Sequence, residues 1–167
     1  MADDHVRLDA LLQRVAHDPA RVDMAAYALF RAGLLRHIGF EEKILLPAAQ
    51  RARDGEPLPF AAKLRLDHGA LAALLVPSPT PAVIAAIRTI LGAHNPIEED
   101  PVGLYDTCER LAGAGCDALL ARLGAAPEVR AAAHNDGPGV LAAFRRALDR
   151  AGFHFDVESG MPCRPVS

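Results

Sequence analysis

Two short stretches of the chain are nearly the same. The first is His37-Ile38-Gly39-Phe40-Glu41-Glu42, and the second is His94-Asn95-Pro96-Ile97-Glu98-Glu99. Each reads His-x3-Glu-Glu and is followed by a partly apolar run. Residues four apart on a helix lie on one face, one turn above the other. Each stretch therefore presents an imidazole beside a carboxylate. Two such helices facing each other create a site for one metal ion, or for two.

The rest of the sequence fits helices. A chain of 167 residues suits one domain. It is 51% hydrophobic, enough for a real core, yet only 5% aromatic and dominated by alanine and leucine. That composition predicts an all-α fold. A net charge of −3 with no basic stripe argues against nucleic acid as a partner. No apolar run approaches membrane-spanning length, so no membrane partner is expected. The start, Met-Ala-Asp-Asp-His, lacks the basic and apolar regions of a signal peptide. Cys108, Cys116 and Cys163 are odd in number and widely spaced, as expected of free thiols in a reducing compartment. These features together predict a cytoplasmic protein.

Turn signals divide the chain into four helices and a tail. Helix one is expected over about Asp3–Ala16, with Asp3 or Asp4 as its cap, and helix two over about Ala20–Arg53, with a kink at Pro47. Helix three is expected over Phe60–Leu75, and helix four from Pro81 to at least Glu99, capped by Thr80. Short connections predict an up-down antiparallel four-helix bundle over residues 1–113. Residues 114–167 are expected to form a helical extension, packed on the bundle or on a partner subunit. Its short helices fall at Asp117–Leu123, Glu128–Ala133 and Val140–Ala151. The spacing of Val140, Leu141, Phe144, Leu148 and Phe153 marks an apolar face that must cover something. The last ten residues read as disordered or loosely docked. A homodimer is compatible with such a tail.

Two further histidines complete a constellation. His5 lies in helix one and His68 in helix three. The candidate ligands are then His5, His37, Glu41, His68, His94 and Glu98, distributed over all four helices. Counted from the turns, their heights disagree by at most about six residues, roughly 9 Å at the helical rise, within the slack of tilt and loop shape. Imidazole with carboxylate and no thiolate suits iron or a similar divalent ion and not a structural zinc site. His17, His134 and His154 lie outside the bundle and read as ordinary histidines. Glu42 and Glu99 read as solvated carboxylates, and Asp67 as helix surface or an outer partner of a ligand. There is no Glu-x-x-His, His-Glu-x-x-His, Gly-x-Ser-x-Gly or phosphate-binding loop.

The order His, His-x3-Glu, His, His-x3-Glu resembles the hemerythrin-like, or HHE cation-binding, domain family. The resemblance covers about residues 3–112 and falls on His5, His37, Glu41, His68, His94 and Glu98. It implies an up-down four-helix bundle around a non-haem iron centre, with two irons bridged by Glu41 and Glu98. His5 would pair with His37 on one iron, and His68 with His94 on the other. One ion, or zinc or manganese in place of iron, is the alternative. The expected partners are dioxygen, peroxide or another small ligand at the metal. The implied roles are oxygen or iron sensing, oxygen binding and protection from oxidative stress, with at most a weak peroxide- or oxygen-reducing activity. An iron-storing or iron-donating repair protein, and a bundle stapled by one structural ion, are the competing readings. Two departures from the oxygen carriers stand out. Ala72 occupies the place of their second histidine on helix three, and Glu99 stands at the spacing of their aspartate, five residues after the last histidine, with Glu98 at the spacing of the other motif. Pro96 between His94 and Glu98 is also awkward in a helix interior. An open coordination position at Ala72 predicts reaction with oxygen species over reversible carriage.

Overall fold

The computed structural model describes residues 1–18, 21–156 and 161–165, with side chains as far as residue 155. The chain is predominantly helical. Helix α1 spans Ala2–Val15 and α2 spans Met24–Phe40. A π-helical turn, Glu41–Leu45, leads without a break into α3, Leu46–Ala52. Helix α4 spans Ala61–Leu74 and α5 spans Pro81–Glu99. Helix α6 spans Leu104–Ala112 and α7 spans Cys116–Gly124, joined by a 3-10 turn at Gly113–Gly115. Helix α8, Pro138–Ala151, precedes a hairpin of β1, Phe153–Asp156, and β2, Met161–Pro165. Among the described residues no helix is long and apolar enough to cross a membrane.

Local chemistry explains the helix ends. Asp23 accepts from the backbone N–H groups of Ala25 and Ala26 and starts α2. Helix two therefore begins at Met24, later than Ala20, which lies outside the described residues. Thr80 accepts from Val83 N–H, and Pro81 at the first position costs α5 no hydrogen bond. Asp3 and Asp4 do not cap α1, which follows Met1 without a side-chain cap. Asp4 is committed elsewhere, to His37. The kink expected at Pro47 takes the form of the π turn. Proline has no N–H and would clash with the carbonyl four residues back. One wider turn just before it, with Leu46 N–H bonded to Glu41 O, absorbs that conflict.

Two apolar clusters hold the helices together. The larger contains Leu8, Leu12 and Val15 of α1, Tyr27, Phe30 and Leu34 of α2, Leu71 and Leu74 of α4, and Ile84, Ile87 and Ile90 of α5. The smaller contains Leu45, Leu46 and Ala49, with Leu58, Ala61, Leu64, Leu104 and Cys108. The layer between them holds the polar residues of the site. At Gly33 an added Cβ would lie 2.8 Å from the Leu8 side chain and 2.9 Å from that of Arg7. The missing side chain lets α1 and α2 approach closely, one helical turn from His5 and His37.

The tail differs in part from its expected form. Residues 126–137 form neither helix nor strand, so the helix expected at Glu128–Ala133 is absent. The segment from Glu128 to His134, between Pro127 and the Asn135-Asp136-Gly137-Pro138 sequence, is too short to nucleate alone. Two carbonyls of residues 126–137 go to arginines of α2: Arg31 donates to Ala132 O at 2.7 Å and Arg36 to Ala126 O at 3.4 Å. Residues 161–165, expected to be disordered or loosely docked, form β2, paired antiparallel with β1. The Cys163 side chain lies outside the described residues, while Cys108 and Cys116 are free thiols. Helix α8 packs on α4, and Phe144, Leu148 and Phe153 are buried in the larger core. The Phe144 ring stands edge-on to Phe155, with centroids 5.3 Å apart. Because Phe144 is 1% exposed, Phe144→Ala is expected to cost about 3–5 kcal/mol of unfolding free energy, measured by urea denaturation. A loss below about 1 kcal/mol would mean that α8 does not share the core.

Candidate metal centre

The repeated motif brings its residues together between the two cores. His37 and Glu41 come from the junction of α2 and the π turn, His68 from α4, and His94 and Glu98 from α5. His5 comes from α1. All six side chains are buried, Glu41 and Glu98 completely. They form two groups whose donor atoms lie within 4.8 Å of one another: His5, His37, Glu41 and Glu98, then Glu41, His68, His94 and Glu98.

The two glutamates belong to both groups, one oxygen to each. Glu41 Oε1 is 3.1 Å from His37 Nε2, and its Oε2 is 3.1 Å from His68 Nε2. Glu98 Oε2 is 3.3 Å from His5 Nε2, and its Oε1 is 2.9 Å from His94 Nε2 and 3.6 Å from His68 Nε2. His5 Nε2 and His37 Nε2 are 2.7 Å apart. Pro96 does not separate its flanking pair, since His94 and Glu98 still meet at one helical turn.

Behind each imidazole stands another carboxylate. His5 Nδ1 pairs with Glu99 and His37 Nδ1 with Asp4. His68 Nδ1 pairs with Glu42 and His94 Nδ1 with Asp67. Glu42 and Glu99 thus turn to the outer face of the histidines. Asp67 is itself held by Lys63, which donates to it at 2.6 Å. Such outer carboxylates orient a ligating imidazole and raise its basicity. The π turn allows this on α2: it sends successive residues, Glu41 and Glu42, to the inner and outer nitrogens of one histidine, His68.

Two observations test whether a metal pair fits. Donors bound at about 2.1 Å and at right angles around one ion stand about 3.0 Å apart, and the inner contacts of both groups scatter about that value. In the second group, Glu41 Oε2, His68 Nε2 and Glu98 Oε1 are buried and have only ion-pair contacts, at 2.9–3.6 Å, without the direction of a hydrogen bond. Buried polar atoms are costly without well-directed partners, and a cation among the three would supply one to all of them. The donor set fits. Two buried His/Glu clusters have the composition and spacing to hold metal ions.

One residue of the site carries no periodic signal in the sequence. Tyr105 stands on α6, and its hydroxyl reaches Glu41 Oε1 at 2.7 Å, His5 Nε2 at 3.0 Å, Glu98 Oε2 at 3.1 Å and His37 Nε2 at 3.2 Å. The turn before α6 makes this reach attainable. A Cβ on Gly103 would lie 2.6 Å from Ile97 O and 2.8 Å from Glu98 O, so only glycine lets the chain fold back this tightly over the end of α5. The Gly103-Leu104-Tyr105 sequence just beyond the second motif was the available clue.

A cleft of about 510 Å3 leads to the site between α1, α2 and α5. Leu8, Leu12, Leu34 and Leu91 make its wall largely apolar, and His5, His37 and His94 also line it. His17 and His154 are exposed, and His134 stacks on Tyr27, all away from this site.

The electrostatics of the protein without metal follow from the pairing. Burial pulls His37 down, but hydrogen bonds to Asp4 and Glu41 outweigh it and raise the group to about 9. Burial likewise opposes, and Glu41, Glu42 and Glu98 overcome, a rise of His68 to about 11. His94 is raised for the same reasons, by Asp67 and Glu98. Asp4 is lowered to about 2, chiefly by its bond to His37. Burial would raise Glu41 and Glu98, but the histidines hold both low.

No protein-family model, curated protein or solved structure matches this chain.

The pKa pattern sets a pH optimum for chelator-treated protein. Raised histidines stabilise the fold fully below their ordinary value of 6.5, and this is lost as pH climbs through about 9. Lowered glutamates stabilise it above their ordinary 4.5, and this is lost as pH falls through their depressed folded values. Unfolding free energy, measured by urea titration after chelation, should be greatest between those two ordinary values and decline on both sides. A stability that rises steadily from pH 6 to pH 9 would contradict this account of the pairing.

Proposed function

We propose that the chain is a hemerythrin-like protein that holds two iron ions and uses them on dioxygen, peroxide or a related small oxygen species. The observation that carries this reading is the sharing of Glu41 and Glu98. Each carboxylate gives one oxygen to each group, as bridges between two adjacent ions must. Four imidazoles with two carboxylates and no thiolate suit iron among other divalent ions, and the resemblance to the hemerythrin-like family selects iron from that set.

The arrangement of the helices supports an up-down antiparallel four-helix bundle. Met1 packs against the smaller core and the later residues of α1 lie in the larger one. Helix α2 with its continuation runs the other way, from Leu34 to Leu45. Helix α4 runs from Leu64 in the smaller core to Leu71 in the larger. Helix α5 reverses again, from Ile90 towards Ile97 at the smaller core. Residues 1–113 would then be the metal-binding bundle and residues 114–167 its cover.

Each residue has a definite task in this reading. His5 and His37 would hold one ion, and His68 and His94 the other. Asp4, Glu99, Glu42 and Asp67 accept the outer Nδ1 hydrogens, which keeps every Nε2 lone pair pointing inward. Glu41 and Glu98 balance part of the ionic charge in a buried site, where unpaired charge is costly. Leu34 and Leu91 restrict water on the cleft side. Bound iron supplies Lewis acidity and an electron source for a small oxygen species. Ala72 supplies no donor, which leaves the second group with four protein donors and room for exchange with solvent.

That openness favours onward reaction over reversible carriage. Protein loaded with ferrous iron, exposed to oxygen and then evacuated, is expected to stay oxidised, as followed by its visible spectrum. Full recovery of the reduced spectrum over repeated cycles would overturn the preference for reaction. Protein that takes up no iron would overturn the function itself.

A further inference from the structure

The two groups of donors differ in one respect that the repeated motif does not encode. In the second group no hydroxyl stands among the donors, and three of its inward atoms have only one another and His94 Nε2 as ion-pair contacts. In the first group the Tyr105 hydroxyl approaches all four inward atoms at 2.7–3.2 Å. A hydroxyl that merely satisfies a buried carboxylate needs one acceptor. This one stands nearly equidistant from two imidazole nitrogens and two carboxylate oxygens.

That arrangement has a specific geometry. Ligands at about 2.1 Å and right angles to one another are about 3.0 Å apart. A fifth donor above four others in a square-pyramidal or octahedral shell is therefore about 3.0 Å from each of them. The Tyr105 oxygen has this relation to His5, His37, Glu41 and Glu98. The backbone is built to put it there. Gly103, wedged against the carbonyls of Ile97, Glu98 and Asp100, starts α6 immediately beyond Glu98. Leu104, fully buried in the smaller core, anchors that helix beside the tyrosine.

We propose that Tyr105 is a fifth protein ligand of the first metal position, so that the two positions are chemically inequivalent. This rests on the metal-binding reading above. On metal binding the phenol O–H bond is replaced by an oxygen–metal bond, and the proton leaves to solvent. The first position then has two nitrogens, two carboxylate oxygens and a phenolate oxygen. The second has two nitrogens and two carboxylate oxygens, one protein donor fewer. A phenolate is a strong donor for ferric iron, so it favours the oxidised state at the first position.

Ferric-loaded protein tests this directly, because iron-bound phenolate has a visible charge-transfer band and characteristic ring vibrations. The chain has two tyrosines, and the other, Tyr27, is buried in the larger core. Wild-type protein is loaded with ferrous iron without oxygen, oxidised with ferricyanide, assayed for iron and studied by resonance Raman. Expected are two irons per chain and phenolate modes that shift when the protein is made with ring-deuterated tyrosine. In Tyr105→Phe the band and modes are expected to vanish. Wild-type protein with two irons but no tyrosine-derived modes would overturn the inference and leave the metal-binding reading standing. Modes that persist in Tyr105→Phe would overturn it too. Wild-type protein that binds no iron would overturn both. The labelled wild-type spectrum decides the matter even if Tyr105→Phe fails to fold.

Discussion

Everything about this molecule turns on two carboxylates buried at its centre. Glu41 and Glu98 have no exposure to solvent. A carboxylate in such a place is tolerated only with compensating charge and hydrogen bonds. Four imidazoles supply them, and each imidazole is held from outside by a further carboxylate. The alternation of carboxylate, imidazole and carboxylate fixes which nitrogen points inward. It also fixes how close the helices must come. The site is thus a lattice of mutual constraints, not six residues that happen to be near each other.

The apolar parts of the fold serve that lattice. One core lies on each side of the polar layer, so the layer cannot slide along the helix axes without exposing leucines. Gly33 lets α1 close on α2 beside His5 and His37. Gly103 lets α6 return over the end of α5. At both places a larger side chain would meet neighbouring atoms at less than 3.0 Å. The tail contributes as well, since Phe144, Leu148 and Phe153 fill the larger core from outside α4 and α5.

The sequence disclosed what is periodic and concealed what is not. The His-x3-Glu pairs were legible because four-residue spacing places two side chains on one helical face whatever the tertiary context. His5 and His68 followed from the need for donors on the remaining helices. The four long helices were legible from their turn residues. The roles of Asp4, Glu42 and Glu99 were not, because an outward carboxylate beside a histidine looks the same as a solvated one. Tyr105 was hidden for a different reason. It reaches the site through a tight turn whose geometry depends on contact with the backbone of α5. The non-helical course of residues 126–137 is tied to Arg31 and Arg36 of α2, a distant pairing that local propensity cannot reveal. The π turn was visible only as an awkward proline.

The central claim is that Glu41 and Glu98 join two adjacent metal positions inside one buried layer. Anomalous X-ray scattering at the iron edge, from crystals of the iron-loaded protein, tests it most directly. The account predicts two peaks per chain, about 3.5–4 Å apart as in carboxylate-bridged pairs. One lies among His5, His37, Glu41 and Glu98, and the other among Glu41, His68, His94 and Glu98. A single peak, or iron bound outside this layer, would contradict it.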